Sequence, residues 1–174
     1  MTTHVALLRA VNVGGRSVKM AELVALFADL GFAGARTYLQ SGNVVFDPGR
    51  ADRAKVAATI EAGIADRFGF RSEAILRSGA ELAKLIARNP FPDMAMDDPG
   101  HLLVMFLAGA PTREDKAALA VRWEGPETWQ LVGSDLFVTY PAGIGKSKLK
   151  LKLKTPVTGR NWNVVTALAA MAGA

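Results

Sequence analysis

Residues 39–46 read LQSGNVVF, and residues 131–138 echo them with LVGSDLFV. In each, two runs rich in apolar and β-branched residues meet at a Ser/Gly pair, Ser41-Gly42 or Gly133-Ser134, suited to a tight hairpin. The strands expected around the first pair are ARTYLQ and NVVFD, and around the second ETWQLV and DLFVTY. Working outward, each hairpin is preceded by a short apolar run and then a helical pattern. HVALLRA, residues 4–10, runs into the turn-rich VNVGGR and reads as a buried strand. Met20, Leu23, Phe27 and Leu30 then fall on one helical face, with Gly31 as the stop. In the second half HLLVMFL, residues 101–107, is the matching strand, and Thr112 can cap a helix through about Arg122.

After the first hairpin, Val56, Ile60 and Ile64 mark a helix from about Asp52 to Phe68, and SEAILR is the next strand. Ser78 and Glu81 form a capping-box pattern for a third helix, which must stop near Asn89-Pro90 because proline disfavours helical geometry before it. The order βαββαβ predicts an α+β fold of duplicated ferredoxin-like βαββ units, antiparallel sheets with helices packed on one face. The expected division is an N-terminal half over 1–89, a connector over 90–100, and a related C-terminal half over 101–174 with a basic strand and a terminal helix. In that topology the loop after the first strand lies at the same end of the sheet as the first hairpin. Arg9, Asn12, Gly14 and Gly15 should therefore sit near Gln40, Ser41 and Asn43.

A chain of 174 residues that is 50% hydrophobic can bury a substantial core. Its start, MTTHVALLRA, lacks the basic and apolar regions of a secretory signal, and no run approaches the roughly 18 apolar residues of a membrane span. A cytoplasmic protein with no membrane partner is the expectation. The absence of cysteine excludes disulfides and thiolate chemistry. The net charge of +5 is local: Lys146, Lys148, Lys150, Lys152, Lys154 and Arg160 lie in a stretch without an acid, and the other 15 basic residues face 16 acidic ones. Any polyanion must meet that stretch.

The string LLRAVNVGGRSVKMAELVALFADLGFAGARTYLQSGNVVF strongly resembles the start of the bacterial domain of unknown function 1697 family, and YPAGIGKSKL and GRNWNVVTAL resemble its closing motifs. The resemblance implies a duplicated α+β fold and no established activity. Two departures stand out. Ala10 occupies a position where the family pattern has glycine, expected to reflect a backbone angle that alanine also tolerates. Between SKL and RNWN many members have a longer, helix-like stretch, whereas this chain has only KLKLKLKTPVTG.

The segment YPAGIGKSKLK contains a phosphate-loop look-alike, Gly145-Lys146-Ser147. With Gly145-Lys146-Ser147 fixed, the motif's first glycine should be residue 140, which is Tyr140, so the match fails. Gly143-Ile144-Gly145 likewise lacks the third glycine of a dinucleotide fingerprint, and no cofactor is implied. Alternation in KSKLKLKLK puts the five lysines on one face and Leu149, Leu151 and Leu153 on the other, as in a half-buried edge strand with a cationic face. As a nucleic-acid site, that face would be extended by Arg160, with Trp162 available to stack on a base. Trp162 also belongs, with Val165 and Leu168, to the buried stripe of a last helix capped by Asn161.

The second candidate is a donor-rich pocket for a small anionic ligand, built from Arg9, Asn12, Gly14, Gly15, Gln40, Ser41 and Asn43 and closed by Arg160, Asn161 and Asn163. These same residues also suit turn geometry and backbone capping. His4 and His101 have no ligand-like spacing and Asp93, Asp97 and Asp98 sit beside prolines in the connector, so no metal site is expected. Ser41 and Ser147 lack an evident base. The expectation is a binding module for a ligand or nucleic acid. An enzyme acting on a small anion around Arg9, Asn12 and Ser41, or a structural or oligomerisation role, is the alternative. The sequence sets no oligomeric state.

Overall fold

The computed structural model describes residues 3–174 and has two four-stranded antiparallel sheets. The first contains β1 (His4–Leu8), β2 (Ala33–Thr37), β3 (Asn43–Asp47) and β4 (Ala74–Ser78), in the order β2-β3-β1-β4. The second contains β5 (Leu102–Leu107), β6 (Thr128–Val132), β7 (Asp135–Thr139) and β8 (Val157–Asn161), in the order β6-β7-β5-β8. Each sheet thus places its first strand between its third and fourth, so the second repeats the strand order of the first. The chain divides into two compact units, one running to Ala83 with Leu168–Ala174 added, the other Lys84–Ala167. That division falls inside α3 (Gly79–Ala87) and inside α6 (Trp162–Met171).

In the first unit, period-two alternation sends Ala6, Leu8, Val44, Phe46, Ala74 and Leu76 to one sheet face. Two helices cover it. From α1 (Met20–Asp29) come Leu23, Leu26 and Phe27, and from α2 (Arg53–Phe68) come Val56, Ile60 and Ile64. Four-residue spacing makes the three α2 residues one apolar stripe. Asp52 caps α2 by accepting from the amides of Ala54 and Lys55, and Gly69, at φ 75°, closes it in the left-handed conformation a side chain would strain. Phe27 and Phe46 meet edge to face, ring centres 5.1 Å apart.

The second unit is covered differently. Leu103, Met105, Leu107, Leu136 and Val138 form the corresponding face. Over it lie Leu119 at the end of α5 (Arg113–Leu119) and then Leu149, Leu151 and Leu153 of the lysine-rich segment. Where the first unit has α2, the second has an extended strap.

Several expectations need correction. The lysine segment is not a strand: residues 147–153 are irregular, after a single 3-10 turn at Ile144–Lys146, and no strand pairs with them among the described residues. The fourth strand is β8, pairing antiparallel with β5 from Leu107↔Val157 to Leu103↔Asn161. Alternation specifies an extended backbone, but a strand also needs an open edge, and β8 occupies the one beside β5. The first hairpin is looser than a two-residue turn because β2 ends at Thr37. Leu39 (φ 57°) and Gly42 (φ 73°) carry the chain round, and buried Asn43 donates to the Tyr38 carbonyl at 2.9 Å and to Ser41 Oγ at 2.8 Å. The second hairpin is the expected two-residue Gly133-Ser134 turn. The 90–100 stretch contains a short helix, α4 (Pro92–Asp97). Ala10 adopts φ 54°, which explains why glycine suits that position.

Candidate functional site

Lys146, Lys148, Lys150, Lys152 and Lys154 are exposed, and the residues between them are half-buried. An extended segment outside a ladder must satisfy its backbone polar groups through side chains or water. Here two buried carboxylates fasten its ends.

At the far end, Asp115 has no exposed surface and forms a capping box with Thr112 at the start of α5. Its Oδ1 also accepts from the Lys154 amide at 2.6 Å, and its Oδ2 accepts from the Thr155 hydroxyl at 2.5 Å. The Thr155 hydroxyl, then the Thr112 amide, hold this carboxyl well below the usual carboxylate range, against the effect of burial. At the near end stands Glu127, 6% exposed, which accepts from Trp123 Nε1 at 2.8 Å and has the Ser147 hydroxyl beside it. The Ser147 hydroxyl first, with the indole in support, depresses its pKa although burial opposes this. Neighbouring Tyr140 is pushed up by burial and by the Glu127 charge. The serine of the phosphate-loop look-alike is therefore a fastening: its oxygen also accepts from the Leu149 amide at 3.0 Å.

Beside this anchor lies an open groove of about 630 Å³, lined by Arg122, Trp123, Pro126, Ala142, Lys146 and Lys148 among others. Gly125 is required there. A Cβ on it would stand 2.4 Å from Trp123 Nε1 and 2.5 Å from Glu127 Oε2.

Two residues assigned to the lysine face are withdrawn from it. Arg160 is buried in β8, donating to Thr158 Oγ1 and the Gly159 carbonyl, both at 2.8 Å, and burial pushes its pKa down to about 10 while it stays a cation at neutral pH. Trp162 is 7% exposed and faces Phe137, so it belongs to the core. Asn161 Oδ1 accepts from the Val164 amide and caps α6, whereas Asn163 is exposed on its first turn.

The polar loops of the first unit do come together. Asn12 donates to the Gln40 carbonyl at 2.8 Å and accepts from the Val18 amide at 2.7 Å. Arg9 pairs with Glu73 at 3.2 Å, both side chains nearly half exposed, and its carbonyl accepts from Ser72. Ser41 lies against Asn43, and Gly14 and Gly15 both have positive φ in open surroundings. The side chains of Asn12 and Asn43 are thus committed to shaping the loops, and Arg9 to Glu73.

The sequence matches, over residues 1–137, the family described as "Protein of unknown function (DUF1697)". The chain belongs to this family. The match stops at Phe137, ahead of the strap and of the closing motifs YPAGIGKSKL and GRNWNVVTAL. No curated protein matches the chain. Among solved structures, it is similar to the conserved bacterial protein SP0830 from Streptococcus pneumoniae, at 22% identity and a TM-score of 0.84, over 100% of this chain and 99% of that one. That likeness extends the shared fold through the region beyond the family match.

Trp123, Gly125 and Glu127 were not singled out by sequence. The signal was WEGPE, an aromatic and an acid bracketing a Gly-Pro turn that can fold one back on the other. No helix among the described residues is long and apolar enough to cross a membrane.

Proposed function

We propose that this protein binds nucleic acid through its phosphate backbone, using Lys146, Lys148, Lys150, Lys152 and Lys154 as a fixed cationic row. The observation that carries this reading is the strap: five lysines exposed along an extended segment whose leucines are seated on the core and whose ends are tied to Glu127 and Asp115. Lys154 has an acidic neighbour, Glu114 at 3.7 Å, and that pair is exposed enough to yield to a phosphate. A small-anion site at the polar loops of the first unit is less well supported, because Arg9, Asn12 and Asn43 already have partners there.

The test is a titration of labelled single-stranded RNA and DNA at 50 and 200 mM salt. Five lysines each meeting one phosphate predict roughly a 100-fold loss of affinity across that range. Replacing all five with serine should abolish the binding; affinity that survives the replacement would sink the proposal.

A further inference from the structure

We propose that the groove beside Trp123 receives an unstacked base, so that the partner of the lysine row is a single strand rather than a duplex; this rests on the nucleic-acid reading above. Four features argue for it. The Trp123 ring is held on one edge by Glu127, and the Gly125 backbone lies so close that a Cβ would meet indole Cε2 at 2.7 Å. The ring nevertheless stays partly exposed and lines the groove. A platform already fixed in orientation loses little side-chain freedom when a base settles on it.

Second, ring and row share one support. Ser147, whose hydroxyl stands beside Glu127, lies between Lys146 and Lys148, and both lysines line the same groove as Glu127. The network that orients the indole therefore also sets the first two cations beside it. A nucleotide offers that combination, a flat apolar base next to a phosphate. Third, about 630 Å³ lies within the roughly 300–1,000 Å³ typical of sites that enclose small organic groups, and Pro126 and Ala142 provide apolar walls. Fourth, the two carboxylates in the lining, Glu124 and Glu127, are outnumbered by Arg122, Lys146 and Lys148, so the groove carries a net positive charge toward a phosphate. A base inside a duplex cannot offer its face to such a ring, whereas every base of a single strand can, and aromatic stacking of this kind is tolerant of sequence.

The experiment compares three probes of equal length on the unaltered protein: an oligothymidylate, the same strand made abasic, and a duplex. The single strand should bind about 10-fold or more tightly than the abasic strand, with a similar salt slope for both because the phosphates are unchanged. Trp123→Ala should erase that difference and Trp123→Phe should keep much of it. Equal affinity for base-bearing and abasic strands, with lysine-dependent binding intact, would overturn base capture and leave the cationic row standing. Duplex binding as tight as single-strand binding would overturn it too. No binding to any probe would remove both proposals. The probe comparison needs no variant, so a poorly folding Trp123→Ala cannot shield the idea.

Discussion

Helix α2 and the lysine strap do the same job in the two units by different physics. Each covers one face of a sheet with the same strand order, α2 with Val56, Ile60 and Ile64, the strap with Leu149, Leu151 and Leu153. A helix satisfies its own backbone, so α2 needs little beyond an apolar stripe, the Asp52 cap and the Gly69 stop. An extended cover has no such internal bonds. It is held from outside, by Asp115 at one end and Glu127 at the other. The difference also changes what faces water, because alternation, unlike helical periodicity, turns every second residue outward in a single row.

The largest effect expected from this contrast is in packing. Ile60 has no exposed surface, and Ile60→Ala should cost about 2–5 kcal/mol in chemical denaturation. Leu151 is only half-buried, and Leu151→Ala should cost under about 1.5 kcal/mol. Equal costs would mean that the strap is as fully seated as α2 and would undo the comparison.

The next effect is in the anchors. Asp52→Ala removes one cap and should cost about 1 kcal/mol. Asp115→Ala deprives the Lys154 amide, the Thr155 amide and hydroxyl, and the Thr112 amide of their acceptor, and should lower the unfolding midpoint by more than Asp52→Ala does. It should also make residues 147–156 the first site of limited proteolysis. Acid sharpens the same point. Because the Asp115 pKa is depressed in the folded protein, its ionised form adds stability above the unfolded value of roughly 3.9, and this is lost only as pH falls through the lower folded value. Amide exchange at Lys154 and Thr155 should therefore stay protected from pH 7 to pH 4 and rise below that range. Loss of protection near pH 6 would show that another group fastens the strap.

The smallest effect concerns the outer face. Lys154→Ala breaks an exposed pair with Glu114 and should change stability by less than about 0.5 kcal/mol. A larger loss would make the lysine a structural member rather than a free cation.

How far the sequence discloses this depends on the range of each interaction. The Ser78–Glu81 and Thr112–Asp115 capping boxes span three residues and are readable on sight; both form. The central strands and the Gly133-Ser134 turn follow from local alternation. β8 was hidden because Gly159 and Arg160 interrupt the apolar pattern and its partner β5 lies some fifty residues away. Alternation in KSKLKLKLK correctly gave lysines out and leucines in, but could not say whether a neighbouring strand was free. The Trp123–Glu127–Ser147 link joins a turn to a segment twenty residues on, and the burial of Arg160 is decided by its register in β8. These are long-range facts, and most of the candidate site is made of them.

Gly125 carries a consequence for how such a site could be gained or lost. Because any side chain there would strike both Trp123 Nε1 and Glu127 Oε2, one substitution at an exposed turn would displace the indole and disturb the tie to Ser147 together. The ring and the first two lysines are thereby a single heritable unit. A chain with another residue at this turn would keep the sheet while losing the means to set an aromatic plane beside a row of charge.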